Sequence, residues 1–279
     1  MSSLVPAKGR PSTHTSHARD EVVIRFSKVC KRFGPKVVYD GLDLEVRRGE
    51  TLTIMGGSGV GKSVLLKLLI GLLRADSGSI VFDGQELTKL HDRKYYEIRR
   101  RIGMLFQSAA LFDSLTVGEN VAYGLREHFH YSMDAHEIHQ RVATSLELVG
   151  LPGVEDMMPS DLSGGMRKRV GLARTIALQP EVILYDEPTT GLDPINTARI
   201  NNLINGISDA LQCTSLVVTH DMGTAFSVSD SLAFVYKGRI LLHGPPDVFR
   251  ESDDPRIENF IKGIAPHAED VATLLATSG

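Results

Sequence analysis

The chain has 279 residues, 42% of them hydrophobic and 23% charged, which provides enough apolar mass for a buried core and predicts one large domain or two. Lysine and arginine total 31 against 34 acidic residues, and the net charge of −3 argues against a dedicated nucleic-acid-binding protein. The two cysteines, Cys30 and Cys213, exclude a disulfide framework and favour a reducing compartment. Residues 1–20 have the composition of a disordered lead-in and lack the apolar run of a signal peptide.

Hydrophobic alternation and short apolar runs predict four early strands, at 22–26, 42–46, 51–55 and 79–82. The third strand leads into a glycine-rich turn, and residues 64–73 then predict a buried helix. This is the most apolar stretch of the chain, but it falls short of the roughly 20 apolar residues that a bilayer requires. We therefore expect a soluble chain that does not itself cross a membrane.

The pattern becomes helical between about residues 107 and 163. A helix is predicted over 132–149 with Ser132 as its N-cap. An earlier basic run is interpreted as a solvated helix end, namely Lys94, Arg99, Arg100 and Arg101. Strand patterns return at 182–185 and 215–218, and a hairpin is predicted over 231–243. These elements predict an α/β body with a helical block inserted in its middle.

A phosphate-binding loop is predicted at 56–63, where the chain reads Gly-Gly-Ser-Gly-Val-Gly-Lys-Ser between a strand and a helix. Glycines let successive backbone N–H groups face phosphate oxygens. Lys62 would place a positive charge on the β- and γ-phosphates, and the Ser63 hydroxyl would bind Mg²⁺. The motif indicates nucleotide binding and nothing more specific.

Two carboxylates, Asp186 and Glu187, end the apolar strand at 182–185. Transfer of a phosphoryl group to water needs a metal on the phosphates and a group that orients the water. Asp186 suits the metal and Glu187 suits the water, provided that folding brings both to the phosphate-binding loop.

A third motif, Leu162-Ser163-Gly164-Gly165, precedes a helix predicted over 167–178. Ser163 can cap this helix, and the glycines permit an anion to approach its start. On local evidence we interpret the helix as an ordinary capped one. Its basic residues are then solvated charges, namely Arg167, Lys168, Arg169 and Arg174.

These motifs, with a later Thr219-His220-Asp221, resemble the ATP-binding-cassette (ABC) ATPase family in order and spacing from about residue 22 to about 245. The resemblance implies an α/β P-loop NTPase core, in which a RecA-like sheet and an antiparallel β subdomain are joined by an inserted α-helical signature subdomain. We expect one ABC ATPase domain over 21–263, its helical subdomain inserted at about 108–180, and a C-terminal tail at 264–279.

The resemblance also implies a role for each matching residue. Phe33 would stack on adenine, Gln107 would sense Mg²⁺ and the transporter partner, and Glu187 would be the catalytic glutamate, with His220 on the γ-phosphate. Residues of the signature motif would contact ATP held by the opposite subunit, and Asp193 would lie in the loop that communicates across the dimer. The expected ATP-binding residues are Phe33, Gly56, Gly57, Ser58, Gly59, Val60, Gly61, Lys62, Ser63, Ser163, Gly164, Gly165 and Asp193. The expected Mg²⁺ ligands are Ser63, Gln107 and Asp186, and the expected catalytic residues are Glu187, His220, Gln107 and Lys62.

One departure is Met166, which stands where the common family pattern has Gln. Residues 107–112, Gln-Ser-Ala-Ala-Leu-Phe, and 125–128, Leu-Arg-Glu-His, are similar to the ATPases of MCE-associated lipid transporters, including Mla-type systems that move phospholipids between the membranes of diderm bacteria. This implies a homodimer on the cytoplasmic face of the inner membrane, bound to permease subunits near the region after Gln107, with an MCE-domain lipid-binding protein as a further partner and no nucleic acid.

Other functions stay open on the sequence. The chain could serve a transporter for polar solutes or lipoproteins. A soluble ABC protein of translation or DNA repair is disfavoured, because such proteins usually carry two cassettes or a long coiled-coil insertion. A catalytically dead regulatory module is disfavoured by intact Lys62, Asp186, Glu187 and His220.

Overall fold

The computed structural model describes residues 21–129 and 132–264, so the predicted lead-in 1–20 and nearly all of the predicted tail lie outside the described residues. An antiparallel sheet has the strand order β2-β1-β4-β5. Its strands are β1 (Val22–Phe33), β2 (Lys36–Arg47), β4 (Ser77–Phe82) and β5 (Gln85–Glu86). The first two exceed their predicted lengths, because their pairing continues through several register shifts, where the apolar alternation is broken, as far as the Phe33–Lys36 pair.

A six-stranded sheet has the order β10-β9-β3-β8-β7-β6 and forms the centre of the molecule. Its strands are β3 (Thr51–Met55), β6 (Ile102–Leu105), β7 (Val182–Asp186), β8 (Thr214–Val218), β9 (Ser231–Tyr236) and β10 (Arg239–Gly244). All pairings are parallel except that of the predicted hairpin, β9 with β10. The carboxyl ends of β3 and β7 therefore meet at one edge of the sheet, which brings the phosphate-binding loop to the acidic pair.

The central sheet is buried on both faces, which explains the uninterrupted apolar runs of its strands. Along β7, Val182 and Leu184 belong to one core and Ile183 and Tyr185 to the other. The first core also contains the antiparallel sheet and the helices α1 (Lys62–Leu69) and α2 (Asp92–Arg101). The second contains α6 (Pro194–Leu211) and the helices of the insert.

The inserted helices are α3 (Val117–Phe129), α4 (Ala135–Leu148) and α5 (Gly164–Ala177), with a 3₁₀ turn at Pro159–Asp161. They lie between β6 and β7, which are hydrogen-bonded neighbours in the sheet. The predicted cap of α4 is wrong: Asp134, not Ser132, accepts the Glu137 N–H, and Glu137 closes the capping box.

As far as residue 264, where the described part of the chain ends, three short helices follow β8: α7 (Met222–Val228), α8 (Pro246–Arg250) and α9 (Pro255–Lys262). The last two pack on β9 around Phe249 and Ile257. Within the described part of the chain, no helix is both long enough and apolar enough to cross a bilayer.

Candidate active site

The phosphate-binding loop, residues 56–63, connects β3 to α1 in a conformation that requires glycine at two positions. Gly56 has φ +152°, and a Cβ there would lie 2.8 Å from the Val235 carbonyl oxygen. Gly61 precedes α1 with φ +108°, and a Cβ there would lie 2.3 Å from a methyl of Val38. The loop can therefore wrap closely around an anion at the start of α1.

Lys62 is buried at the floor of this loop. Its Nζ donates to the carbonyls of Gly56, at 2.9 Å, and Gly57, at 3.2 Å, and lies 3.6 Å from Glu187 Oε1. Burial lowers the pKa of Lys62, while the Glu187 carboxylate opposes that shift. The ammonium group is thus held between the loop and the acidic strand end.

The Ser63 hydroxyl donates to Asp186 Oδ1 at 2.5 Å. Burial is the main cause of a raised pKa for the Asp186 carboxyl. A buried carboxylate beside a hydroxyl provides the hard oxygen ligands that Mg²⁺ prefers, and a divalent cation would offset the cost of burying the charge. The two residues therefore fit a magnesium ion.

Glu187 follows β7 in a left-handed backbone conformation, with φ +49°, and its N–H donates to the Val218 carbonyl at 2.9 Å. Its Oε2 lies 2.9 Å from His220 Nδ1 and accepts from the Thr190 hydroxyl at 3.2 Å. His220 itself follows β8, so parallel neighbours deliver both groups to the same edge. The pair can hold a water molecule and a phosphate oxygen on one side of the loop.

Lys62, Ser63, Glu187 and His220 face a common cavity of about 380 Å³, and Asp186 lies behind Ser63, outside its lining. Its rim includes Phe33, which is 44% exposed, and the side chains of Lys36 and Val38. The predicted site residues that line it are Phe33, Ser58, Gly59, Gly61, Lys62, Ser63, Gln107, Glu187 and His220. A ring, a phosphate-binding loop and an acid–histidine pair around one cavity suit a nucleoside triphosphate.

The predicted residues of the signature motif do not line this cavity. Ser163 caps α5 by accepting the Met166 N–H, and a Cβ on Gly165 would lie 3.1 Å from the Asn196 side chain. Asn196 in turn donates to Asp193, which caps α6. The signature motif and the Asp193 loop therefore form a second, adjoining surface.

The interpretation of the basic residues of α5 as solvated charges is wrong for Lys168, which is only 6% exposed. The Lys168 ammonium donates to three backbone carbonyls just after β7. Arg174 is half-buried and donates to the Ala109 and Ala110 carbonyls. One further contact at the site is not predicted by any sequence motif. The Tyr39 hydroxyl donates to the Gly61 carbonyl at 2.6 Å.

A family model described as ABC transporter matches residues 39–190, which is more than half of the chain. The chain belongs to the ABC transporter family. It is 45% identical, over 86% of its length, to the intermembrane phospholipid transport system ATP-binding protein MlaF of Haemophilus influenzae, and it covers 90% of that protein. It is 41% identical, over 87% of its length and 67% of the relative, to the "Probable ribonucleotide transport ATP-binding protein mkl" of Mycobacterium leprae.

Among solved structures, the dimeric post-hydrolysis state of the ATP-binding cassette MJ0796, bound to ADP and Pi, matches with a TM-score of 0.74 at 29% identity. It covers 80% of this chain and 98% of that cassette. The predicted α/β P-loop NTPase fold is confirmed, and the chain is an ATPase of the ABC family.

Proposed function

We propose that this chain is the ATP-hydrolysing subunit of a transporter that moves phospholipids across or between envelope membranes. For hydrolysis, the supporting observation is the single cavity that gathers Lys62, Glu187 and His220. For the cargo, it is the 45% identity to MlaF over nearly the whole of both chains.

In this proposal Phe33 stacks on the adenine ring, and the N–H groups of residues 56–63 hold the phosphates together with Lys62. Ser63, Asp186 and Gln107 would hold Mg²⁺, which when bound neutralises phosphate charge. The burial of Lys62 strengthens its attraction to the phosphate anion, and the burial of Asp186 strengthens its attraction to Mg²⁺, because nearby water is excluded.

Glu187 accepts a proton from the attacking water, and His220 donates to the γ-phosphate. The 2.9 Å contact between His220 Nδ1 and Glu187 Oε2 lets each side chain orient the other. The left-handed backbone of Glu187 directs its carboxylate back toward Lys62, 3.6 Å away, and so toward the phosphates.

Two copies of the chain would act together, because Ser163, Gly164 and Gly165 lie outside the chain's own cavity. On a second copy these residues would cover the ATP, and Asp193 would connect the two sites. The region after Gln107 would contact permease subunits at the cytoplasmic face of the inner membrane, and an MCE-domain protein would carry the lipid.

A second candidate cargo follows from the similarity to mkl, whose name specifies ribonucleotide transport. The two cargoes are distinguished by ATPase assays on the transporter complex in nanodiscs. Stimulation that depends on the phospholipid headgroup in the nanodisc supports lipid transport, whereas stimulation by added ribonucleotides other than ATP supports the polar cargo.

The substitution Glu187→Gln tests the hydrolytic assignment. We expect the variant to bind ATP, to accumulate as an ATP-bound dimer, and to lose about 10²- to 10³-fold in kcat, since a general base is removed. Steady-state ATPase assays and size-exclusion chromatography with ATP measure both effects.

The matched control is Glu147→Gln, which makes the same chemical change on the exposed face of α4. It should leave turnover unaltered. Wild-type turnover in Glu187→Gln would contradict the role assigned to Glu187.

A further inference from the structure

Lys168 is a buried cation whose hydrogen bonds all end on the turn that follows β7. Its Nζ donates to the carbonyls of Glu187 at 3.2 Å, Pro188 at 2.8 Å and Thr190 at 2.8 Å. An ammonium group has three N–H donors, so these three bonds satisfy it completely.

Burying an ammonium group here costs desolvation free energy, which indicates that its hydrogen bonds stabilise a particular backbone arrangement. Burial lowers the pKa of Lys168, and the Glu187 carboxylate only partly opposes this shift. A methionine at the same place would fill similar space without desolvating a charge. What only the ammonium can provide is a common hydrogen-bond donor for three carbonyls that point to one spot.

Those carbonyls belong to the segment that sets the direction of the Glu187 side chain. Glu187 has a φ of +49°, an unfavourable conformation for a residue with a side chain. Within the turn, the Thr190 N–H donates to the Glu187 carbonyl at 3.3 Å, and the Thr190 hydroxyl donates to Glu187 Oε2 at 3.2 Å. A turn held at its carbonyls therefore also holds the carboxylate.

We propose that Lys168 is a positioning residue for ATP hydrolysis, which fixes the turn after β7 so that the Glu187 carboxylate stays aimed into the nucleotide cavity. The proposal rests on the function assigned to Glu187 above. Lys168 touches no substrate and acts only through the backbone of residues 187–190.

The placement of Lys168 on α5 gives this role a second consequence. The helix begins at the signature motif, whose Ser163 caps it, and Lys168 lies in its second turn. A displacement of α5 when the signature motif engages ATP on another copy of the chain would therefore move the carbonyl of Glu187 directly. Lys168 thereby links the surface that contacts one ATP to the carboxylate that acts on the other.

The test compares Lys168→Met and Lys168→Arg with wild type, in the full chain assembled in its transporter complex. We expect Lys168→Met to lose about 10- to 100-fold in kcat, as misplaced catalytic groups typically do. The Kd for ATP, measured by fluorescence titration, should change less than about threefold because the phosphate-binding loop is untouched. Lys168→Arg keeps the charge and N–H donors, but these no longer radiate from one atom, so it should recover only part of the turnover.

Arg169→Met provides the matched control. Arg169 is the next residue of α5 and also donates to backbone carbonyls, but to those of Val149 and Gly150 within the helical insert. If the loss of a cation from α5 lowered turnover only by destabilising the fold, Arg169→Met and Lys168→Met would show the same loss of kcat for the same loss of melting temperature. We expect Arg169→Met to retain its turnover.

Three results would overturn the proposal: wild-type kcat in Lys168→Met, a loss of ATP affinity equal to the loss of kcat, or the same deficit in Arg169→Met. If Lys168→Met does not fold, Lys168→Gln is assayed by the same criteria, with an intermediate kcat expected from its two N–H donors. Glu187→Gln separates the two proposals. Wild-type turnover in Glu187→Gln would contradict the function assigned to Glu187. If Glu187→Gln is inactive but Lys168→Met has wild-type turnover, only the role proposed for Lys168 is contradicted.

Discussion

At the scale of single residues, two buried ammonium groups contact Glu187, one at its side chain and one at its backbone. Lys62 approaches its carboxylate from the phosphate-binding loop, 3.6 Å from Oε1, and Lys168 binds its carbonyl from α5. Burial lowers the pKa of both lysines. The Glu187 carboxylate, which we propose is catalytic, is therefore held by charge at its side chain and by hydrogen bonds at its backbone.

The shift at Lys168 predicts a pH dependence, since burial lowers its pKa to about 8 and the Glu187 carboxylate is the charged group that opposes this. As pH rises through that value, the amine keeps two donors for three carbonyls. We expect kcat to fall about two- to tenfold above this pH, the equivalent of one lost hydrogen bond. Lys168→Arg stays charged and should show a smaller alkaline decline, although Lys62 titrates equally in both proteins. Superimposable pH–kcat profiles for the two proteins would contradict this expectation.

The sequence predicts residues whose chemistry is local to a motif, such as Gly61 and Ser63 between a strand and a helix. It gives no indication of Lys168, because a lysine near the start of a helix ordinarily points to water. Its burial depends on the turn after β7, 20 residues from it in sequence at Pro188. The Tyr39 bond to Gly61 spans 22 residues and was missed for the same reason.

At the scale of elements, the loop between β6 and α3 is held by side chains from two helices. Asn120 is fully buried; it accepts the Phe112 N–H at 2.8 Å and donates to the carbonyls of Phe112, Leu115 and Thr116. Arg174 of α5 donates to Ala109 and Ala110, both of which have positive φ. The helical insert therefore holds this loop, which we propose contacts the permease, through side chains of α3 and α5.

Asn120→Ala should lower the free energy of unfolding by about 2–4 kcal/mol, because it removes the four hydrogen bonds of a fully buried side chain and with them the partner of the Phe112 N–H. Urea unfolding followed by circular dichroism measures the change. Asn202→Ala, on the exposed face of α6, is the matched control and should shift stability by less than about 0.5 kcal/mol. Equal unfolding midpoints for the two variants would show that the Asn120 bonds contribute nothing.

Element boundaries were predictable where periodicity changes and not where one element runs directly into the next. The strand β6 was missed because α2 ends at Arg101 and β6 begins at Ile102, without a glycine or proline between them. The interpretation of 99–101 as a solvated helix end is also wrong for Arg101, which pairs with Glu181 at 2.8 Å and with Asp83. Asp83 lies in the turn after β4 and Glu181 in the segment before β7, so no local pattern specifies either partner.

At the scale of the whole molecule, the helical insert shares its core with the central sheet. Residues of α3, α4 and α5 pack in one cluster with Ile183 and Tyr185 of β7 and with Ile200 and Ile204 of α6. The change from strand to helical periodicity predicts the insertion, but the common core arises only because β6 and β7, on either side of it, are paired. The division of residues 21–263 into a core and an insert at about 108–180 remains our proposal.

The separation of the signature motif from the chain's own cavity predicts that two defective copies can restore one another. Lys62→Ala should abolish ATP binding at its own site. Gly164→Glu should leave its own fold intact, because a Cβ there has nothing within 4 Å and an acidic group suits a helix start, yet it would repel phosphate on a facing copy.

Each variant alone should be inactive, and mixing them should restore ATPase activity, since the mixed dimer has one site with intact Lys62 and an intact facing Gly164. Gly206→Glu, another glycine with open space around its Cβ, is the control for added charge and should stay active. Mixing Lys62→Ala with the double variant Lys62→Ala/Gly164→Glu should restore nothing, because no site then has its lysine. If the first mixture is as inactive as the second, Ser163, Gly164 and Gly165 do not serve the ATP of another copy.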